Sequence, residues 1–175
     1  MKKGIFCILC CLLALTSCQK SGINAFKGDY SFKSSGEVSV QRTTPIISPS
    51  IIPATFNFTL PNEIGQLEIR TLDRKEKSVV VVMNYMSDEV IVVHGTCEGQ
   101  TITLDEFQRN ALSISVDSYV SSNCVVNVKA EGHIYDDNTI VFNMVYNGTA
   151  TIANIDFKIQ GDNIRMVATR NYNTN

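Results

Sequence analysis

The fold class is decided by one stretch, Ile140-Val141-Phe142-Asn143-Met144-Val145-Tyr146. Large apolar side chains stand at every second position, and the smaller Val141, Asn143 and Val145 stand between them. Strict alternation of this kind predicts a β-strand with one buried face. The dipeptide Asn147-Gly148 follows directly, and this pair favours a two-residue hairpin turn. The stretch therefore predicts one strand of an antiparallel sheet, with a hairpin partner that starts at Thr149.

The same alternation recurs through most of the chain. It predicts about ten short strands at spacings of roughly 8–12 residues, with turn residues between them and no helix. One of these predicted turns is Gly161-Asp162-Asn163, before the last strand at 164–169. Such spacing is typical of a sandwich or a barrel. Because consecutive hairpins dominate, we expect an all-β fold, a single antiparallel up-and-down barrel of about 8–10 strands. The alternative is a β-sandwich.

The N-terminus has the features of an export signal. Lys2 and Lys3 precede an apolar run from Ile5 to Leu15, which is shorter than the roughly 20 residues of a membrane-spanning helix. The segment Leu15-Thr16-Ser17-Cys18 resembles the lipobox of bacterial lipoproteins. That resemblance implies a lipoprotein signal peptide at 1–17, acylation of Cys18, and a membrane as partner through the acylated cysteine. Residues 18–25 are then a tether, 26–170 the barrel domain and 171–175 a frayed tail.

The charge balance argues against nucleic acid as a partner. The chain has 15 basic and 17 acidic residues, a formal net charge of −2, and no basic patch stands out. The resemblance to lipoproteins implies anchoring in the cell envelope. The segment after Cys18 lacks the acidic run that is associated with surface display in similar lipoproteins, so we expect the periplasmic face of the outer membrane, with the cell surface as the alternative.

Two cysteines remain once the signal peptide and the acylated residue are set aside, Cys97 and Cys124. An even pair in an exported protein favours a disulfide, which would contribute about 3.5 kcal/mol on the chain-entropy model. The alternative is two buried thiols that pack as small apolar groups.

A short motif supports the barrel. Gly28-Asp29-Tyr30 resembles the Gly-x-Trp start of lipocalins and their calycin relatives, with Tyr30 in place of the tryptophan. With the lipobox and the meander of strands, the chain is similar to the small calycin-like lipoproteins of Gram-negative gut anaerobes. The resemblance implies a closed barrel that is either filled by its own side chains or holds one small ligand.

Catalytic and metal-binding patterns are not evident in the sequence. His94 and Cys97 have a spacing seen between zinc ligands, but no second close pair of ligands accompanies them. The acidic pairs Asp88-Glu89, Asp105-Glu106 and Asp136-Asp137 are best explained as solvated turns. We therefore expect no enzyme activity, no cofactor and no metal site.

The leading hypothesis is a non-enzymatic lipoprotein whose barrel binds a small apolar or amphipathic ligand. Inward-facing side chains are the candidate ligand contacts: Phe142, Met144, Tyr146, Phe157 and Met166. The alternative is a structural or interaction module of a cell-envelope complex. It would dock through four isoleucines of the proline-rich loop Thr43–Ala54, namely Ile46, Ile47, Ile51 and Ile52.

Overall fold

The computed structural model describes residues 22–43, 53–72, 77–116 and 119–172. It consists of one short helix and ten strands: α1 (Ile23–Phe26), β1 (Gly28–Ser35), β2 (Glu37–Arg42), β3 (Thr55–Thr59), β4 (Glu63–Thr71), β5 (Ser78–Tyr85), β6 (Val90–Glu98), β7 (Thr101–Val116), β8 (Tyr119–Asp136), β9 (Thr139–Ile152) and β10 (Ile155–Arg170). The predicted signal peptide, Cys18 and the four loop isoleucines lie outside the described residues.

Eight of these strands form a closed antiparallel barrel. The hydrogen-bonded order runs β1-β4-β5-β6-β7-β8-β9-β10, and β10 pairs again with β1 from Tyr30 opposite Arg170 to Ser35 opposite Arg165. This closure confirms the predicted all-β barrel and excludes the sandwich. Apart from the β2–β3 hairpin, each strand of the barrel is followed in the chain by its neighbour in the sheet.

One end of the barrel continues into an open sheet. Strand β1 ends just before Gly36. The chain passes close to β10 at this residue, since an added Cβ would lie 2.9 Å from the Cα of Ile164. The chain then continues as β2, which pairs with the first half of β10, and β3 pairs with β2. Strands β7 to β10 are long because they belong to both the barrel and this extension. Their buried faces join in one hydrophobic core.

The opposite end of the barrel is covered by α1, whose Phe26 is fully buried. Tyr30, from the predicted Gly28-Asp29-Tyr30 motif, donates its hydroxyl to the carbonyl of Phe26 at 2.7 Å. The guanidinium of Arg170 lies 4.9 Å from the centre of the Tyr30 ring and donates to the carbonyls of Ala25 and Lys27. The motif therefore ties the first strand, the last strand and the helix together.

Two predicted turns are wrong. Asn147-Gly148 lies inside β9, with Gly148 opposite both Val126 and Ile159. A Cβ at Gly148 would lie 2.0 Å from the carbonyl oxygen of Val125, so this glycine serves close strand packing rather than a turn. The turn comes instead at Ala153 and Asn154, which both have positive φ. Gly161-Asp162-Asn163 is a bulge within β10, not a turn.

The predicted disulfide is also wrong. Cys97 lies opposite Ile102, and Ile102 lies opposite Gly132 of β8. Cys124 is eight residues away along β8, about 26 Å at the rise of a strand, whereas a disulfide requires Cα atoms within about 7 Å. Both side chains are buried thiols in the hydrophobic core. Burial raises the pKa of the Cys97 thiol to about 11.

The two predicted flanking segments are partly described. Of the tether, residues 22–25 pack against the barrel, with the Gly22 amide bonded to the carbonyl of Gly99 at 3.2 Å. Of the tail, Asn171 bonds through its side chain to Ser31 and Gln66. Within the described ranges, no helix combines the length and the hydropathy of a membrane-spanning segment.

Candidate functional site

An arginine is buried at the barrel end opposite α1. Arg109 of β7 has no exposed surface, although its neighbours at Gln108 and Asn110 are exposed. The buried residues of β7 on either side of this segment occupy even positions, such as Leu104 and Leu112, whereas Phe107 and Arg109 occupy odd ones. The pairing of β7 with β8 shifts register between 104 and 107 and again between 109 and 112. These two irregularities invert the alternation locally and turn Arg109 into the core.

Glu63 and Glu89 neutralise Arg109. Glu63, at the start of β4, accepts from Nη1 at 2.7 Å and from Nη2 at 2.8 Å. Glu89, in the turn between β5 and β6, accepts from Nε at 2.9 Å and from Nη2 at 2.8 Å. The two carboxylate side chains are only 17% and 11% exposed. The prediction of a solvated turn is therefore wrong for Glu89, because its carboxylate partners a buried cation.

Two tyrosines complete this group. The hydroxyl of Tyr146 accepts the remaining Nη1 hydrogen of Arg109 at 3.1 Å, and the guanidinium carbon lies 4.1 Å from the centre of the Tyr85 ring. Burial raises the pKa values of both tyrosines. Burial lowers the pKa of Arg109, but its hydrogen bonds to Glu63 and the nearby charges outweigh this effect and leave the pKa raised. We call these five residues the Arg109 cluster: Arg109, Glu63, Glu89, Tyr85 and Tyr146.

One polar atom of the cluster is unsatisfied. The hydroxyl oxygen of Tyr85 is buried and has no hydrogen-bond partner among the described residues. Tyr85 is 4% exposed, and its ring packs edge-on against Phe32 at 4.9 Å. Leaving a buried hydroxyl unpaired costs about 1–3 kcal/mol. Such groups in native proteins are unusual and point to a missing partner.

A pocket of about 270 Å³, here called the rim pocket, opens beside the cluster. Its described lining is mixed in character: Pro61, Asn62, Glu63, Ile64, Tyr85, Met86, Ser87, Leu112 and Ser113. Ile64 and Met86 are 45% and 75% exposed, so they form an apolar lip at its mouth. A second depression, about 370 Å³, shares Ile64, Tyr85 and Met86 with it. The arrangement combines apolar contacts with a few polar groups at the base, which is typical of ligand sites.

The residues predicted to bind a ligand are all buried in the core: Phe142, Met144, Tyr146, Phe157 and Met166. None of the five lines the rim pocket. Phe157 instead packs edge-on against Phe56 at 6.0 Å. Of the set, Tyr146 alone reaches the Arg109 cluster. The predicted ligand contacts thus lie inside the packed barrel, whereas the rim pocket lies at its end.

The Arg109 cluster could not be recognised from the sequence alternation. That pattern assigns Arg109 to the outer face of its strand, because the bulges on either side leave no clear signature. Glu63 and Glu89 lie 46 and 20 residues away from Arg109 in the chain. The only hint of the cluster in the sequence was a charged residue between two apolar strand segments. Exposed strands commonly show the same pattern, so it does not identify a buried arginine.

The histidine and cysteine with zinc-like spacing lie on opposite faces of β6. His94 is exposed, whereas Cys97 is buried. Within the described ranges, no group of three His, Cys, Asp or Glu side chains is placed to hold a metal ion. His133 bonds to Glu131 at 2.8 Å on the outer surface.

Comparison with known proteins adds little to this description. No protein-family model and no curated protein matches the chain. One solved structure is similar, a redesigned β-barrel, with 9% sequence identity and a TM-score of 0.36. The match covers 89% of this chain and 98% of that one. The fold assignment rests on the strand pairings described above.

Proposed function

We propose that this protein is an exported, lipid-anchored barrel of the bacterial cell envelope that binds a small amphipathic ligand without chemical conversion. The site of binding is the rim pocket rather than the interior of the barrel. The observation that carries the proposal is that Tyr85, whose buried hydroxyl has no partner among the described residues, lines a pocket with an apolar lip. A bound ligand would supply the missing hydrogen bond and cover Ile64 and Met86.

The size of the pocket limits what it can take. A volume of about 270 Å³ lies just below the roughly 300–1,000 Å³ of pockets that enclose drug-sized ligands. The rim pocket therefore suits a small molecule, or one end of a longer amphipathic molecule whose remainder lies over the lip.

The binding proposal is tested by native mass spectrometry of the exported chain with Cys18→Ser, which avoids detergent. Ser113→Trp is the blocking variant, since Ser113 lines the pocket. Ser115→Trp is the matched control, because Ser115 is exposed two residues further along β7 and does not line the pocket. We expect a bound species on the unblocked chain and on the control, and none on Ser113→Trp. Equal occupancy of all three, or repeated absence from all three, would contradict rim-pocket binding.

The anchoring proposal rests on the sequence Leu15-Thr16-Ser17-Cys18 and is tested separately. Cells are grown with a labelled fatty acid, and their envelopes are fractionated. We expect the label on the unmodified protein in the outer-membrane fraction, and neither label nor membrane retention for Cys18→Ser. An unlabelled protein, or one retained equally after Cys18→Ser, would contradict acylation.

One observation favours the alternative, an interaction module. Val90 and Val92 project from the outer face of β6 with 61% and 63% exposure, and β6 pairs with β7 only over Gly95–Glu98. An apolar strand with a partly free edge is a natural site for pairing with another chain. If this surface binds a partner in the envelope, Val92→Lys should abolish a crosslink that the exposed-surface variant Thr96→Lys retains.

A further inference from the structure

The hydrogen bonds of Arg109 limit which ligand charge the rim pocket can recognise. A guanidinium has five N–H donors. All five are used, two toward Glu63, two toward Glu89 and one toward Tyr146. Arg109 therefore has no donor left for a carboxylate or phosphate. To bind Arg109, an anionic ligand would have to displace a carboxylate that already pairs with this buried cation.

The unused hydrogen-bonding capacity of the charged groups in the cluster is acceptor capacity. Oε2 of Glu63 accepts from Arg109 and, at 3.4 Å, from Ser34, whereas among the described residues Oε1 accepts only the bond from Nη2 of Arg109. A carboxylate oxygen has about two lone-pair sites, so Oε1 can take one more donor. Glu63 is itself part of the pocket lining.

The net charge of the site also favours a hydrogen-bond donor that carries a positive charge. One guanidinium faces two carboxylates, so the cluster carries a formal charge of −1 with little exposure to solvent. No lysine, arginine or histidine is among the described lining residues of the rim pocket. A partly buried excess negative charge attracts a cation more strongly than a solvated one does.

The Tyr85 hydroxyl is suited to the same kind of ligand. A tyrosine hydroxyl is neutral at neutral pH, and burial raises the pKa of Tyr85 further, so its oxygen keeps lone pairs that can accept a hydrogen bond. An ammonium group offers three donors, which matches this oxygen, Oε1 of Glu63 and a hydroxyl such as that of Ser87.

We propose that the rim pocket selects small amphipathic ligands whose polar end is a protonated amine. Glu63 and Tyr85 hold the ammonium group, and Ile64 and Met86 contact the apolar part. This inference rests on the proposed function, since it names the ligand class of that same pocket.

The test uses three probes of equal chain length, hexylamine, hexanol and hexanoate, titrated into the exported chain with Cys18→Ser by calorimetry at neutral pH. A charge-assisted hydrogen bond predicts that hexylamine binds about 10- to 100-fold more tightly than hexanol. Hexanoate should bind more weakly than either. If hexanol binds as tightly as hexylamine, the amine inference is overturned while ligand binding stands. If none of the probes binds, both the inference and the proposed function of this pocket are overturned.

Variants locate the effect. Glu63→Gln removes the charge with little change of shape and should bring the hexylamine-to-hexanol ratio close to one. Glu106→Gln is the matched control, because Glu106 is half-exposed on β7 and does not line the pocket. Tyr85→Phe removes only the unpaired hydroxyl, and we expect a stable fold and about 2- to 10-fold weaker amine binding. An unchanged ratio in Glu63→Gln, or unchanged amine affinity in a folded Tyr85→Phe, would overturn the assignment.

Discussion

Replacing Arg109 with methionine tests the physical basis of the site. The substitution keeps an unbranched, flexible side chain that fills most of the buried space, but it removes the charge and all five donors. Glu63 and Glu89 are then left facing each other with little solvent, and Tyr146 loses its donor. Removing one partner of a buried ion pair costs about 3–5 kcal/mol. Because both carboxylates keep some exposure, we expect a loss at the lower end, about 3–4 kcal/mol.

That loss would be a large fraction of the roughly 5–15 kcal/mol that stabilises a typical domain. It would be measured by urea unfolding, followed by far-ultraviolet circular dichroism. Arg165→Met is the matched control, since Arg165 is exposed on β10, and it should stay within about 0.5 kcal/mol of the parent chain.

The origin of the loss is tested by neutralising all three charges. The variant Arg109→Met with Glu63→Gln and Glu89→Gln has no uncompensated charge, so it should be more stable than Arg109→Met alone. Two results would refute the stabilising role of these ion pairs. One is a cost of less than about 1 kcal/mol for Arg109→Met, and the other is a triple variant that is no more stable than the single one.

Three further predictions concern the rest of the barrel. Arg170→Ala should cost about 2–3 kcal/mol in urea unfolding, because it removes charged hydrogen bonds to two carbonyls and to the Tyr30 hydroxyl, while Arg165→Ala should cost little. Thiol titration of the unfolded Cys18→Ser chain should count Cys97 and Cys124 as two thiols before any reductant is added, and a disulfide would contradict the strand register. Burial raises the pKa of Tyr30 to about 12 from 10.0, so the stability it contributes is complete below pH 10 and should fall as pH rises toward 12. Unfolding curves that do not change over that interval would contradict its burial.

The barrel was predictable because one period governs most of the chain. Alternating side chains, as at 140–146, must place one face inside, and many such strands without helices can bury that face only by stacking or closing. Closure into a barrel rather than a sandwich rests on the pairing of β1 with β10. In the sequence, the lipocalin-like motif that contains Tyr30 was the indirect support for a barrel. Local chemistry alone could not distinguish that pairing from a sandwich.

Turns were less predictable than strands, for a physical reason. Gly148 and the bulge at Gly161 have the residue types of turns, but in the sheet they are places where neighbouring strands approach closely or bend. Conversely, Ala153-Asn154 forms a true turn with positive φ at both residues, although alanine rarely adopts that conformation. Tertiary packing therefore overrides the local preference at both kinds of position.

The site depends on departures from the regular pattern. Two bulges in β7 turn Arg109 inward, and its partners come from the start of β4 and the turn before β6. The alternation of apolar and polar residues predicts neither the bulges nor the position of these partners. Sequence reasoning consequently located the candidate ligand contacts among the regular inward residues, where the structure shows packed side chains.

Methionine methyl groups offer the most direct test of where a ligand binds. Met86 lines the rim pocket, whereas Met144 and Met166 are buried in the barrel core. The exported chain with Cys18→Ser is labelled at its methionine methyl groups, and their NMR shifts are followed as hexylamine is added. Binding at the rim pocket predicts saturable movement of the Met86 signal, while the Met144 and Met166 signals stay unchanged. Movement of the two core signals while Met86 stays fixed would contradict it and return the site to the barrel interior.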